Sequence, residues 1–170
     1  MRWFHTRGVR KFKATQLLWL LALLPVSCAS PQITLAPVGP GPLRNGATTI
    51  AKGDLQVFTE TQEYGDDLAV PFFAHTDYWI YSTGGKRLKR VWNHQDPQDE
   101  QPATVTLAAG QYLIKAEAEL YGLVMVPVTI KPGETTRVIL QPGWTPPNSY
   151  PSSELVRFPD GYFVGWNANR

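Results

Sequence analysis

Between Tyr112 and Ile130, apolar side chains occupy every second position in two successive runs, and a pair of pleated strands is the structure that uses such a pattern. Tyr112, Ile114, Ala116, Ala118 and Leu120 fall on one side, with Lys115, Glu117 and Glu119 on the other. After Tyr121-Gly122 the alternation resumes with Val124, Val126, Val128 and Ile130. A helix would scatter these residues around its circumference, whereas a strand collects them on one buried face. Weaker runs of the same period are Leu55/Val57/Thr59, Ala103/Val105/Leu107 and Thr136/Val138/Leu140. Tyr78-Trp79-Ile80-Tyr81 is apolar on both faces and predicts a central strand, with Leu88 and Trp92 marking its hairpin partner.

The breaks between these runs are turn chemistry. Gly84-Gly85 separates two strand runs and supplies the positive φ that tight hairpins need. Ala108-Ala-Gly-Gln111 and Lys131-Pro-Gly-Glu134 predict further turns. Pro127 cannot donate to a ladder, so its strand is expected to lie at an edge or to carry a bulge there. The 15 Pro and 14 Gly disfavour helices, and 12% aromatic residues suit pleated surfaces. About seven short strands over 52–140 predict an all-β fold: a single antiparallel β-sandwich, immunoglobulin-like or transthyretin-like. Before it, residues 29–51 carry Pro31, Pro37, Pro40, Pro42, Gly39, Gly41 and Gly46 and read as an extended tether that holds the domain off a membrane. After it, 141–153 reads as a Pro-rich linker. Residues 154–170 read as a terminal hairpin about Pro159-Asp160-Gly161, expected to dock on the edge of the domain.

Residues 1–28 have the organisation of an export signal. A basic stretch ends at Lys13, and Leu17 to Leu24 is an uninterrupted apolar run. Eight helical residues span about 12 Å, against a hydrocarbon core of about 30 Å, so the run is too short to cross a bilayer. Pro25-Val26-Ser27-Cys28 follows and resembles the lipobox of bacterial lipoproteins, with Pro25 where that family has Leu. The resemblance implies diacylation of Cys28 and cleavage before it. Cys28 is the only cysteine, so it has no intrachain disulfide partner. Ala29 in place of Asp implies, on the same resemblance, the outer membrane. The alternative is an ordinary secretory signal cut between Ser27 and Ser30, giving a periplasmic or secreted protein.

A second resemblance rests on "AAGQYLIKAEAELYG", "VMVPVTI" and "KPGETTRVIL", strongest from Thr104 onward. Their order is similar to the carboxypeptidase regulatory-like and PEGA-type modules of bacterial surface proteins. It implies a β-sandwich and carries no activity.

Charge narrows the partners. Five of the 16 Lys and Arg precede the apolar run, while all 14 Asp and Glu follow Cys28, leaving 11 basic against 14 acidic residues and a net charge near −3 for residues 29–170. Phosphate backbones require a basic surface, so no nucleic-acid partner is expected. No nucleophile elbow, HExxH, P-loop or GxGxxG is present, and no catalytic residue or cofactor is assigned.

Four features remain as candidate sites. Cys28 is the lipidation site. Asp96, Asp99 and Glu100 share a loop and could offer oxygen ligands to Ca²⁺, although the spacing is not that of an EF-hand and a solvated loop is the favoured reading. Lys86-Arg-Leu-Lys-Arg90 is a basic stretch that could touch an anionic surface or, as favoured, guard an exposed strand against pairing. Trp144, Tyr162 and Trp166 could stack on a sugar or, as favoured, pack the docked hairpin. The expected function is a lipid-anchored cell-envelope module with a non-catalytic structural or protein-interaction role. The alternatives are a carbohydrate- or cell-wall-binding lipoprotein using the C-terminal aromatics and an enzyme with dispersed carboxylates.

Overall fold

The computed structural model of the chain describes residues 33–41, 51–65, 70–94, 96, 99–146 and 151–169. All of them belong to the compact unit Pro31–Arg170. Among the described residues the regular structure is thirteen strands and one turn of 3-10 helix, Ser152–Glu154. In chain order the strands are β1 (Ile33–Thr34), β2 (Val38–Gly39), β3 (Lys52–Phe58), β4 (Thr61–Tyr64), β5 (Phe72–His75), β6 (Tyr78–Ser82) and β7 (Arg87–Val91). They continue with β8 (Thr104–Ala108), β9 (Gly110–Ala118), β10 (Gly122–Ile130), β11 (Thr135–Ile139), β12 (Leu155–Arg157) and β13 (Phe163–Asn167). The fold is all-β, in three sheets.

The large sheet runs β12-β13-β2-β10-β9-β6-β7, with β1 also on β10; the second runs β11-β3-β8, and β4 pairs with β5 alone. The alternation read from Tyr112 to Ile130 becomes the β9–β10 hairpin, in register from Gly122↔Ala118 to Ile130↔Gly110. Ile114, Ala116, Ala118, Val124, Val126, Val128 and Ile130 are buried from this pair, and Leu55, Val57, Val105 and Val138 from the second sheet join the same core. The turns at Ala109 and at 131–134 carry the chain from one sheet to the other and do not close hairpins, since β8 and β11 pair with β3.

Several expectations are corrected. Pairing is mixed: β1 and β2 run parallel to β10, and β11 runs parallel to β3. The tether expected over 29–51 is part of the sheet at β1 and β2, because Ile33, Leu35 and Val38 bring apolar side chains to the core between the prolines. The terminal hairpin, β12 with β13, docks on that same segment, with Trp166 opposite Gly39. Leu88 and Trp92 are exposed, and Val91 is the residue that β7 buries.

Pro127 is neither at an edge nor bulged. Leu35 N–H donates to Met125 O, so by alternation Pro127 also turns its backbone toward β1 and β2. There the partner strand is interrupted. Thr34 is opposite Met125 and Val38 opposite Val128, so three residues, Leu35 to Pro37, face two, Val126 and Pro127. The irregularity lies in the neighbour, where the missing proline N–H is not called upon.

Leu120 departs from the alternation that precedes it. It sits in the β9–β10 turn, 72% exposed, with φ of +71°. A leucine in the left-handed region loses about 1 kcal/mol to contacts of its Cβ with the backbone, and here no packing offsets the loss. Leu120→Asn, a residue that tolerates this region, is expected to raise stability by about 0.5–1 kcal/mol, seen as a higher urea midpoint at unchanged slope. A lower midpoint would contradict the assignment of strain.

Candidate functional site

The outward face of the large sheet gathers cations onto tryptophan. In β6, Tyr78 and Ile80 point into the core, which turns Trp79 and Tyr81 outward. The register sets Trp79 between Arg90 of β7 and Lys115 of β9. The Arg87 guanidinium lies 4.6 Å from the centre of the Trp79 ring, and that of Arg90 lies 5.3 Å from Trp79 and 4.1 Å from Trp92. Arg90 is therefore held between two indoles. Each such contact contributes about 0.5–1 kcal/mol at an exposed site.

Asp77 fixes this arrangement. Arg90 donates from Nε and Nη2 to Asp77 Oδ2, at 3.2 and 2.9 Å. Asp77 Oδ1 in turn accepts the Asn93 N–H at 3.0 Å. With the Arg90 side chain 44% exposed, this ion pair contributes little stability and serves mainly to aim the guanidinium. Trp92 is 65% exposed, an unusual position for a large apolar ring that packs against no core. β7 ends the order of the large sheet, so Lys86, Arg87, Lys89 and Arg90 lie along its rim.

Behind this face lies a buried polar tie containing His75 and His94. His75 Nδ1 donates to Thr59 O at 2.8 Å, and His94 Nδ1 to His75 O at 2.9 Å. Asn93 is fully buried; its Nδ2 donates to Val57 O and to Thr59 Oγ1, and its Oδ1 accepts from Ala103 N–H. Thr59 Oγ1 donates to Thr76 O. Burial pushes the His75 pKa below its ordinary value of 6.5, against the raising effect of its bond to Thr59 and of Asp99. The unfolded chain therefore binds a proton on His75 more readily than the folded one. Stability from this group is present above pH 6.5 and is lost as pH falls through 6.5 toward the lower folded pKa. His75→Gln is expected to flatten that part of a stability-against-pH curve; an unchanged slope would assign it to other groups.

The sequence-predicted sites separate in space. Cys28 lies outside the described residues. Trp144 meets Phe163 and Trp166 edge-on at 6.0 and 6.4 Å, and Trp166 is only 7% exposed. Tyr162 is exposed, so the three rings do not present one flat platform. In the acidic loop Glu100 Oε1 accepts the Phe73 N–H, Asp99 Oδ1 accepts the Gln101 N–H, and Asp99 N–H donates to Asp96 O. Those bonds build a turn, and among the described residues no three His, Cys, Asp or Glu side chains converge to hold a metal ion. The Lys86–Arg90 stretch does lie on an edge strand. Sequence reading missed its pairing with Trp79 and Trp92. The available signal was an outward-facing tryptophan in the run Tyr78 to Tyr81 followed by basic residues across a two-glycine turn.

No protein-family model, curated protein or solved structure matches the chain. Among the described residues no helix is long and apolar enough to cross a membrane.

Proposed function

We propose that the chain is an exported β-sandwich module, lipid-anchored through Cys28, which acts without catalysis by presenting its arginine–tryptophan face to an acidic protein partner in the cell envelope. The observation that carries the interaction is Arg90 held between Trp79 and Trp92 by Asp77, on a rim of four further cations, Lys86, Arg87, Lys89 and Lys115. Exposed Trp and Arg are the residue types that dominate protein interfaces, and the charge asks for carboxylates on the other side. The sandwich reading rests on two sheets sharing one core, with turns that cross between them. The anchor reading rests on the lipobox-like Val26-Ser27-Cys28 after the apolar run.

Two measurements test it. Labelling cells with a radioactive fatty acid is expected to mark the wild-type chain and not Cys28→Ser, which should leave the membrane fraction. A photo-crosslinking residue at Trp92 is expected to capture one acidic protein that the same residue at Thr135, on the other sheet, does not. Combined Arg87→Glu and Lys89→Glu substitutions should weaken that capture about tenfold or more through like-charge repulsion. An adduct indifferent to charge reversal, or equal at both positions, overturns the acidic-partner reading.

A further inference from the structure

Only four residues, five Cα–Cα steps, separate Cys28 from Ile33, and Ile33 is already in the sheet, opposite Val124. Fully extended, that connection reaches about 17 Å. Because β1 runs parallel to β10, the chain enters the sheet at the end where β9 turns into β10. The tip of the terminal hairpin is at this end as well: Tyr121 stacks on Phe158 at 4.2 Å and 8°, and Asp160 N–H donates to the Tyr121 hydroxyl.

Three of the seven large exposed apolar side chains among the described residues collect here: Leu120 at 72%, Leu123 at 45% and Tyr162 at 43%. Leu120 is held outward in a left-handed turn position that gives the fold nothing in return. We propose that this end of the domain is a foot that rests in the interfacial layer of the membrane carrying the Cys28 lipid, with Leu120 and Leu123 at the boundary of headgroups and acyl chains and Tyr162 at the headgroups. The proposal rests on the lipid-anchor reading and adds an orientation to it: strands upright on the membrane, and the arginine–tryptophan face turned sideways. A short connection cannot hold the domain clear of the surface. Tyrosine favours the interface, and two leucines at a turn tip reach its inner boundary. Glu117, Glu119 and Asp160 surround the foot against one cation, Arg157, so the surface it fits is zwitterionic.

The sole native cysteine is the acylated one, so Leu120→Cys supplies a single free thiol for a nitroxide label in the full, acylated chain. Gln111→Cys, exposed at the opposite end of β9, is the reference. In phosphatidylcholine vesicles, collision of the label with a water-soluble nickel chelate is expected to be several-fold lower at residue 120 than at residue 111, with oxygen collision higher. Equal accessibility at both positions in a chain whose mass shows the Cys28 lipid overturns the foot and leaves the anchor standing. A mature chain without the lipid overturns both. Protection of residue 120 in the non-acylated Cys28→Ser chain, free of vesicles, would assign the foot to a second copy of the protein and overturn the membrane contact.

Discussion

Gly53→Ala is expected to destabilise the protein by about 3 kcal/mol or more, the upper end of what a single added carbon costs in a packed interior. Gly53 is buried near the start of β3, where the 131–134 turn closes over it. Gly133 N–H donates to Lys52 O and Asp54 N–H to Glu134 O, so backbone bonds clamp the turn on both sides of the glycine. A Cβ built at Gly53 would lie 2.2 Å from Lys131 O and 2.9 Å from Glu134 O. Both contacts are with backbone, which cannot rotate away as a flexible side chain can. Relief requires opening the clamp or bending β3 away from β8 and β11, its two neighbours. Gly84 is the internal comparison, since a Cβ there meets only Ser82 Oγ at 3.8 Å. Urea denaturation of the two variants should show a large drop in midpoint for Gly53→Ala and almost none for Gly84→Ala. Equal midpoints would mean that the turn does not close on β3 as described.

Asn93→Ala is expected to cost about 3 kcal/mol, because it strips partners from groups with no access to water. The Asn93 amide ties two other segments together: Val57 and Thr59 at the end of β3 on one side, Ala103 before β8 on the other. Removing it leaves Val57 O without this donor in a buried site and deprives Thr59 Oγ1 of a partner. Asn93→Asp keeps the shape but turns the donor into an acceptor facing Val57 O, so it should be at least as harmful. Thermal melts of both variants, compared with His94→Gln at the half-buried rim of the same network, would decide the matter. A loss confined to the His94 variant would place the structural tie at the histidine. The N–H that holds Asp77 belongs to the backbone of residue 93 and survives both substitutions, so where the fold survives, capture through Trp92 should persist.

The parts of this fold that were legible in the sequence are those encoded locally. Alternation in 112–118 and 124–130 marks strands because side chains on a pleat have period two, whatever the strand pairs with. Leu55, Val57, Val105 and Val138 carried the same signal and are buried. Turn glycines were legible because Gly85, Gly122 and Gly133 adopt positive φ in the structure. β1 and β2 were hidden, being two residues long and set among prolines, so no period can be read from them. Leu120 was misread because alternation extrapolates past a strand's end, while the chain had already begun to turn.

The arginine–tryptophan cluster and the grouping of Leu120, Leu123 and Tyr162 were decided by tertiary structure. Basic residues at 86–90 and tryptophans at 79 and 92 are visible in the sequence, but whether an arginine meets an indole depends on register, and register is a relation between strands. The same holds for the connection from Cys28. Its composition reads as a free tether. Hydrogen bonding of Ile33 and Thr34 alongside β10, more than 90 residues away in sequence, shortens it to four residues. Local patterning determined that this chain forms strands and where its core lies. Long-range pairing, which no local pattern encodes, decided at which end β1 enters the sheet and which side chains stand together on its surface.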